Sequence, residues 1–282
     1  MVNFNGDLLP QSAHFLNHRN RGLRYGDALF ESIKYSGSQL LFWEDHYFRL
    51  MASMRQLRME IPMDFTMEYL EAEIRKTLEA SALLKGPARI RLTVFRKDGG
   101  LYLPETLEVD FVIESHPWPD ASYVLPSGEY RADIFRDYHL LADGLARLKH
   151  GNRLVQVLGS IYARENNLQT CLVLNHRKEV AEALNGNLFI RKGDRIKTPP
   201  LESGCLAGIM RLQLLRLAGT DTRYQWEEGA ISPFELQQAD ELFTTNALMG
   251  VQPISDYRKA SFGAEAARYV LERLNASLEA QA

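Results

Sequence analysis

The stretch "ARLKHGNRLVQVLGSIYA", residues 146–163, sets Lys149 directly before an amphipathic run. Leu154, Val157, Leu158 and Ile161 recur at the spacing of one helical face, which predicts a helix. Asn152 reads as its N-cap. The lysine therefore sits on a short, anchored approach and not on a loose loop. A lone lysine ordinarily lets its ammonium reach water while only its stem is covered. Anchoring one calls for a chemical reason.

The chain around this stretch has 282 residues, room for two compact domains. Hydrophobic residues make up 45% and charged residues 24%, as in ordinary globular proteins. A net charge of -3 offers no basic field for nucleic acid or for an anionic membrane. "MVNFNGDLLPQS" lacks the basic start and apolar run of a secretory signal, and no apolar segment approaches a membrane span. Cys171 and Cys205 alone make neither a disulfide framework nor a zinc site, so no metal is expected. These features lead us to expect a cytoplasmic protein with no nucleic-acid or membrane partner.

The first third mixes strands and helices. "FNGDLLP" reads as a short strand, and "ALFESIKYSGSQLLFW" as two strands turning at Ser36-Gly37-Ser38. "DHYFRLMASMRQLRM" reads as a helix with Asp45 as candidate cap and Leu50, Met54 and Leu57 on one stripe. "MEYLEAEIRKTLEASALL" gives a second helix, and "ARIRLTVFR" and "LEVDFVIES" alternate as half-buried strands do. "SHPWPDAS" then marks a linker. The expected division is a small α/β domain over residues 1–117 and a larger one over 118–282. In the second part "TCLVLN", "EVAEAL" and "NLFIRKGDRIKTPP" read as strands, the last turning at Lys192-Gly193-Asp194. "GIMRLQLLRLAG" reads as a helix closed by Gly219, and "ISPFELQQADELFTTNALMGVQPI" as helix, strand and glycine turn. "GAEAARYVLERLNASLEA" closes the chain as an amphipathic helix.

Three features beside Lys149 carry chemistry. In "SGCLAGIMRLQLLRL", Gly204 and Gly208 precede a helix whose first N–H groups suit a phosphate, although glycines also serve simple turns. In "VAEALNGN", Glu182 is a charge within apolar strand sequence and needs a partner if it points inward. In "DHYFRL", His46 and Arg49 lie three apart on a helix, and Arg49 is either solvated or a two-point phosphate ligand. A lysine, a phosphate cradle, an arginine and a carboxylate are the parts that hold pyridoxal phosphate.

The order "RYGDALFES", "HYFRL", "LKHGNRL", "EVAEALNGNLF", "KTPPLESGCLAGIMR" and "ADELFTTNALMGVQPI" resembles the class IV (fold type IV) pyridoxal-phosphate enzymes, from about Asn5 to about Ile254. That family includes branched-chain and D-amino-acid aminotransferases and 4-amino-4-deoxychorismate lyase. The resemblance implies the two-domain α/β (α+β) fold of D-amino-acid aminotransferase, with the cofactor in the cleft between the domains. It also implies a homodimer, with the active site at the domain and subunit interface. Lys149 is then the lysine that forms the Schiff base with pyridoxal 5'-phosphate and moves the substrate proton. Glu182 pairs with the pyridine nitrogen. Arg49, Ile209, Met210, Asn246 and Ala247 hold the phosphate, with Met210, and one of the pair Asn246 and Ala247, standing where relatives often carry hydroxyls. Phe30 faces the substrate, and Arg96 and Tyr102 in "FRKDGGLYLP" belong to the loop region that completes the pocket.

The resemblance divides between two reactions. "TNALMGVQPI" and the Arg153 of "KHGNRLVQVL" look like the deoxychorismate lyases, which release 4-aminobenzoate and pyruvate. A dicarboxylate substrate suits extra arginines, with Arg24, Arg91, Arg96 and Arg153 as candidates. The alternative is a class IV aminotransferase acting on branched-chain or D-amino acids with 2-oxoglutarate. A non-catalytic family member is the reading from another class, and it predicts loss of the lysine or the cradle.

Overall fold

The computed structural model describes residues 1–280, and they divide into two compact units. The first comprises Met1–Ser122 together with Lys149–Asn152, and the second comprises Tyr123–Leu148 and residues 153–280.

The first unit contains β1 (Val2–Phe4), β2 (Asp7–Leu9), α1 (Arg21–Tyr25), β3 (Ala28–Tyr35), α2 (Trp43–Gln56), α3 (Met67–Ala80), β4 (Ala88–Arg96) and β5 (Val109–Pro117). The strands form one sheet in the order β2-β1-β5-β4-β3. β4 lies antiparallel between β5 and β3, with Leu29, Ile33, Ile90, Leu92, Val94 and Ile113 buried. The alternation in "ARIRLTVFR" therefore reports a real two-faced strand. α2 and α3 bury Leu50, Met54, Leu70, Ile74 and Leu78. Thr66 caps α3 by accepting from Tyr69 N at 3.1 Å.

The strand β3 has a free edge, and the chain comes back to use it. Phe30 N donates to Lys149 O at 2.9 Å, and Gly151 N donates to Ala28 O at 2.8 Å. His150 forms an antiparallel bridge with Leu29. Lys149 is thus anchored by sheet pairing rather than by the helix that follows it.

The second unit contains β6 (Arg131–Leu140), α4 (Leu154–Glu165), β7 (Thr170–Asn175), β8 (Val180–Ala183), β9 (Asn187–Lys192), β10 (Arg195–Thr198), α5 (Ile209–Ala218), β11 (Gln225–Glu228), α6 (Pro233–Gln238), β12 (Glu241–Asn246), β13 (Gly250–Ile254), β14 (Asp256–Tyr257), β15 (Ala260–Ser261) and α7 (Glu265–Glu279). They build two sheets, β11-β10-β9-β12-β13 and β15-β14-β6-β7-β8. Ile134, Leu172 and Val180 from one sheet pack with Leu188, Ile190, Leu242 and Ile254 from the other in one apolar core. Ser232 opens α6 with a capping box completed by Glu235.

Several local expectations are corrected. Asn152 does not cap α4; the cap position is Arg153, and Asn152 packs against Gly26. The stripe Leu154, Val157, Leu158 and Ile161 faces outward, with Leu154 74% exposed, while Gly159 and Ala163 are the buried side of α4. Gly159 allows this approach, because a Cβ there would overlap Leu184. The second strand of the expected hairpin is reduced to a single bridge, Tyr35 to Leu40, because the chain turns at Phe42 into α2. Asp45 lies in the first turn of α2 and not at its cap, where it still favours the positive end of the dipole. "FNGDLLP" is no single strand but the turn of the β1–β2 hairpin and its flanks. Gly219 ends α5 in a right-handed conformation, φ -61°, so it is not needed there for left-handed geometry.

Gly26 has φ +64°, and a Cβ there would overlap Asn152 Oδ1. Gly26→Ala combines left-handed strain of about 1–2 kcal/mol with displacement of the Lys149–Asn152 segment. Thermal unfolding is expected at a lower midpoint than wild type; an unchanged midpoint would show that the segment is not held against Gly26.

Candidate active site

In the first unit, the half-buried Lys149 Nζ lies 4.5 Å from the centre of the Phe30 ring. The Arg91 guanidinium lies 3.9 Å from the same ring centre. Pairing of the 149–151 segment with β3 explains the first contact, and the neighbouring strand β4 supplies the second. Two cations against one aromatic ring make the surroundings of Phe30 locally positive.

The same strand, β3, carries Glu31 on its buried face. Arg49 Nε donates to Glu31 Oε1 at 2.8 Å, and Arg49 NH2 donates to Glu31 Oε2. His46 Nδ1 lies 2.6 Å from Glu31 Oε2. Burial by itself would raise the Glu31 pKa, but the Arg49 charge and the hydrogen bonds from His46 and Arg49 outweigh it and bring it from 4.5 down to about 2. Burial also pushes His46 below its ordinary value, against the opposing pull of Glu31.

In the second unit, Glu182 is buried on β8. Its Oε2 accepts from Leu206 N at 2.7 Å and its Oε1 accepts from Gln156 Nε2 at 3.3 Å. The carboxylate is thereby tied to the loop that enters α5. Asn187 Nδ2 donates to Leu206 O at 2.8 Å, and a Cβ at Gly208 would overlap Asn187 Oδ1. Gly208 is the N-cap of α5 and has no side chain to cap the helix. Helix geometry leaves the amides of Ile209 and Met210 without intrahelical acceptors, and Gly208 leaves room for the Asn187 side chain beside them. Asn246 ends β12, and its side chain builds the next turn: Oδ1 accepts from Leu248 N and Met249 N, and Nδ2 donates to Asn185 O. Ala247 O accepts from Tyr123 Oη at 2.7 Å.

The other expected pocket residues occupy three different settings. Arg96 is not in a loop. It ends β4, buried, with Nε donating to Asp27 and NH1 and NH2 donating to the carbonyls of Arg58 and Leu57. A guanidinium so engaged ties strand to helix end. Tyr102 is 89% exposed, its ring 5.6 Å from that of Tyr25. Arg153 precedes α4 and donates to Leu148 O at 2.7 Å. Sequence reasoning passed over Glu31, Gln156, Asn187 and Arg21. Arg21 is buried and holds the loop before Tyr102 through the carbonyls of Gly99, Leu101 and Tyr102. Glu31 was detectable as a charge at a position that strand alternation buries beside Leu29 and Ile33.

Each unit holds groups whose chemistry suits an aldehyde-bearing aromatic phosphate: the amine of Lys149 and Arg49 in the first, and an uncapped helix start and the buried Glu182 in the second. Comparison with known proteins identifies the family. The family described as "Amino-transferase class IV" matches residues 28–257. The aminodeoxychorismate lyase of Vibrio harveyi is 29% identical over 84% of this chain and 85% of its own. The D-alanine aminotransferase of Bacillus licheniformis is 24% identical over 99% of this chain and 95% of its own. The solved branched-chain amino acid aminotransferase from Escherichia coli superposes with a TM-score of 0.85 at 22% identity, covering 97% of this chain and 92% of that one.

The Glu31 shift has a pH consequence. The unfolded chain takes up the carboxyl proton near pH 4.5 and the folded chain only near 2. The stabilisation is complete above 4.5 and is lost as pH falls toward 2. The stability gap between wild type and Glu31→Gln, measured by urea unfolding, is expected to narrow from pH 6 to pH 3; a constant gap would contradict this electrostatic assignment. With the family match spanning most of its length, the chain belongs to the class IV aminotransferases, a family of pyridoxal-phosphate-dependent enzymes.

Proposed function

We propose that this enzyme is a lyase that converts 4-amino-4-deoxychorismate to 4-aminobenzoate and pyruvate. The observation that supports the reading is the setting of Phe30, whose ring centre lies 4.5 Å from Lys149 Nζ and 3.9 Å from the Arg91 guanidinium. The substrate carries two carboxylates, and a guanidinium packed on the ring that also touches the working amine suits one of them. An aminotransferase using a dicarboxylic partner such as 2-oxoglutarate shares that requirement, and the aminotransferase relatives keep that reading open to test.

In this proposal Lys149 Nζ binds the cofactor and later takes the proton from the substrate carbon that bears the amine. Glu182 faces the ring nitrogen and keeps it protonated, and the bonds from Leu206 N and Gln156 hold the carboxylate in place. The amides of Ile209 and Met210, with Arg49, hold the phosphate. Asn246 shapes the turn at Ala247 on the same cradle. Pyridoxal phosphate, when bound, supplies an electron-withdrawing ring that stabilises negative charge at the reacting carbon. Phe30 covers one side of the reacting group and limits the approach of water.

Among the described residues no helix is long and apolar enough to cross a membrane. We place the enzyme in the cytoplasm as a homodimer, in which the outward stripe Leu154, Val157, Leu158 and Ile161 of α4 is covered by a second copy. Light scattering of the holoenzyme is expected to give the dimer mass.

The deciding assay supplies aminodeoxychorismate without any keto acid. Release of 4-aminobenzoate and pyruvate in equal amounts is expected. No release, together with ready exchange between an amino acid and 2-oxoglutarate, would establish the aminotransferase instead. Glu182→Gln is expected to keep the bound cofactor's absorbance and lose roughly a hundredfold in turnover; an unchanged rate would remove Glu182 from the ring nitrogen.

A further inference from the structure

The proposed reaction makes no use of two buried groups linked to Arg49, one directly and one through the other. Glu31 and His46 lie in the interior, on β3 and α2 respectively. Glu31 meets Arg49 with both carboxylate oxygens, a two-point fork that fixes the guanidinium plane. Glu31 Oε2 also takes the hydrogen bond from His46 Nδ1. His46 Nε2 is buried and has no hydrogen-bond partner. An imidazole with a carboxylate at Nδ1 and an unbonded Nε2 is the neutral ring carrying its proton on Nδ1. The depression of the His46 pKa by burial agrees with that state. The cluster therefore holds one negative charge, one positive charge and a neutral donor.

Glu31 has two opposed effects on an anion bound at Arg49. Its charge offsets that of the guanidinium, which weakens the attraction. Its fork holds a long, rotatable side chain in one orientation, which removes the entropy loss of ordering that chain on binding. The two effects predict opposite changes in phosphate affinity when the Glu31 charge is removed, so the sign of that change separates them. A buried guanidinium deprived of its carboxylate moves to other acceptors or to water and no longer presents a fixed edge.

We propose that Glu31 and His46 are positioning residues for the cofactor phosphate: the Glu31 fork, pinned by the His46 Nδ1–H, aims Arg49 at the phosphate. This rests on the assignment of Arg49 to the phosphate made above. A purely structural cross-link between β3 and α2 predicts altered stability only, with no preference for a phosphorylated ligand.

The test compares equilibrium binding of pyridoxal phosphate and of pyridoxal to the full chain freed of cofactor, read from the absorbance of the bound ligand. Wild type, Glu31→Gln, His46→Ala and Arg49→Ala are measured. The ratio of the two affinities isolates the phosphate contribution. In Glu31→Gln it is expected to fall by about tenfold or more, in His46→Ala by less, and in Arg49→Ala also to fall. A ratio unchanged or raised in Glu31→Gln but lowered in Arg49→Ala overturns the positioning role and leaves Arg49 on the phosphate. A ratio unchanged in Arg49→Ala overturns the phosphate assignment itself. Should Glu31→Gln fail to fold, Glu31→Asp, which keeps the charge and shortens the reach, replaces it: a lowered ratio supports positioning, and a wild-type ratio overturns it.

Discussion

Two backbone hydrogen bonds, Phe30 N to Lys149 O and Gly151 N to Ala28 O, attach the lysine segment to the free edge of β3. A free strand edge offers unpaired donors and acceptors, and pairing it satisfies them. Once that pairing is made, the position of the amine follows from the strand. Phe30 lies beneath Lys149, Glu31 points to the opposite, buried face, and Arg91 reaches the same ring from β4. A side chain that must bond, release and re-bond one atom gains most from being tethered, because proximity replaces a bimolecular encounter.

The alternation of β3 separates two kinds of charge. Phe30 and the cations over it occupy the half-exposed side. Glu31, on the other side, lies in the interior and is tolerated there only because Arg49 and His46 answer both of its oxygens. The second unit handles its own buried carboxylate the same way, with Leu206 N and Gln156 on Glu182. In each unit the charged group of interest is fixed by neighbours from elements other than its own: α2 for Glu31 of β3, and α4 and the loop before α5 for Glu182 of β8. Such cross-element bonding makes a site rigid before any ligand arrives.

Much of this organisation was legible in the residues. Strands with strong alternation or unbroken apolar runs, such as β4 and β7, stand where their patterns put them, and α6 begins at its capping signal. The misreadings share a cause: information that belongs to distant partners. Asn152 has the chemistry of a cap, but Gly26 leaves room for its side chain elsewhere. The apolar stripe of α4 is real, yet within the chain the smaller residues Gly159 and Ala163 make the closer packing. Arg96 looks like a loop residue because glycines follow it, while its donors are taken by Asp27 and two carbonyls that no local pattern announces. The short strands β11, β14 and β15 and the charged strand β6 carry too little periodicity to be read alone. For the site, Lys149, Glu182 and Arg49 stood out as residue types in telling places. Their supporting partners did not, because Gln156, Asn187 and His46 acquire meaning only from what lies opposite them.

The central claim is that the amine fixed on the edge of β3 is the one that bonds the cofactor. The most direct measurement is borohydride reduction of the holoenzyme, followed by proteolysis and mass determination of every lysine-containing peptide. The account predicts the added mass of a phosphopyridoxyl group on the peptide that carries Lys149 and on no other. The same mass on a different lysine, with the Lys149 peptide unmodified, would contradict it.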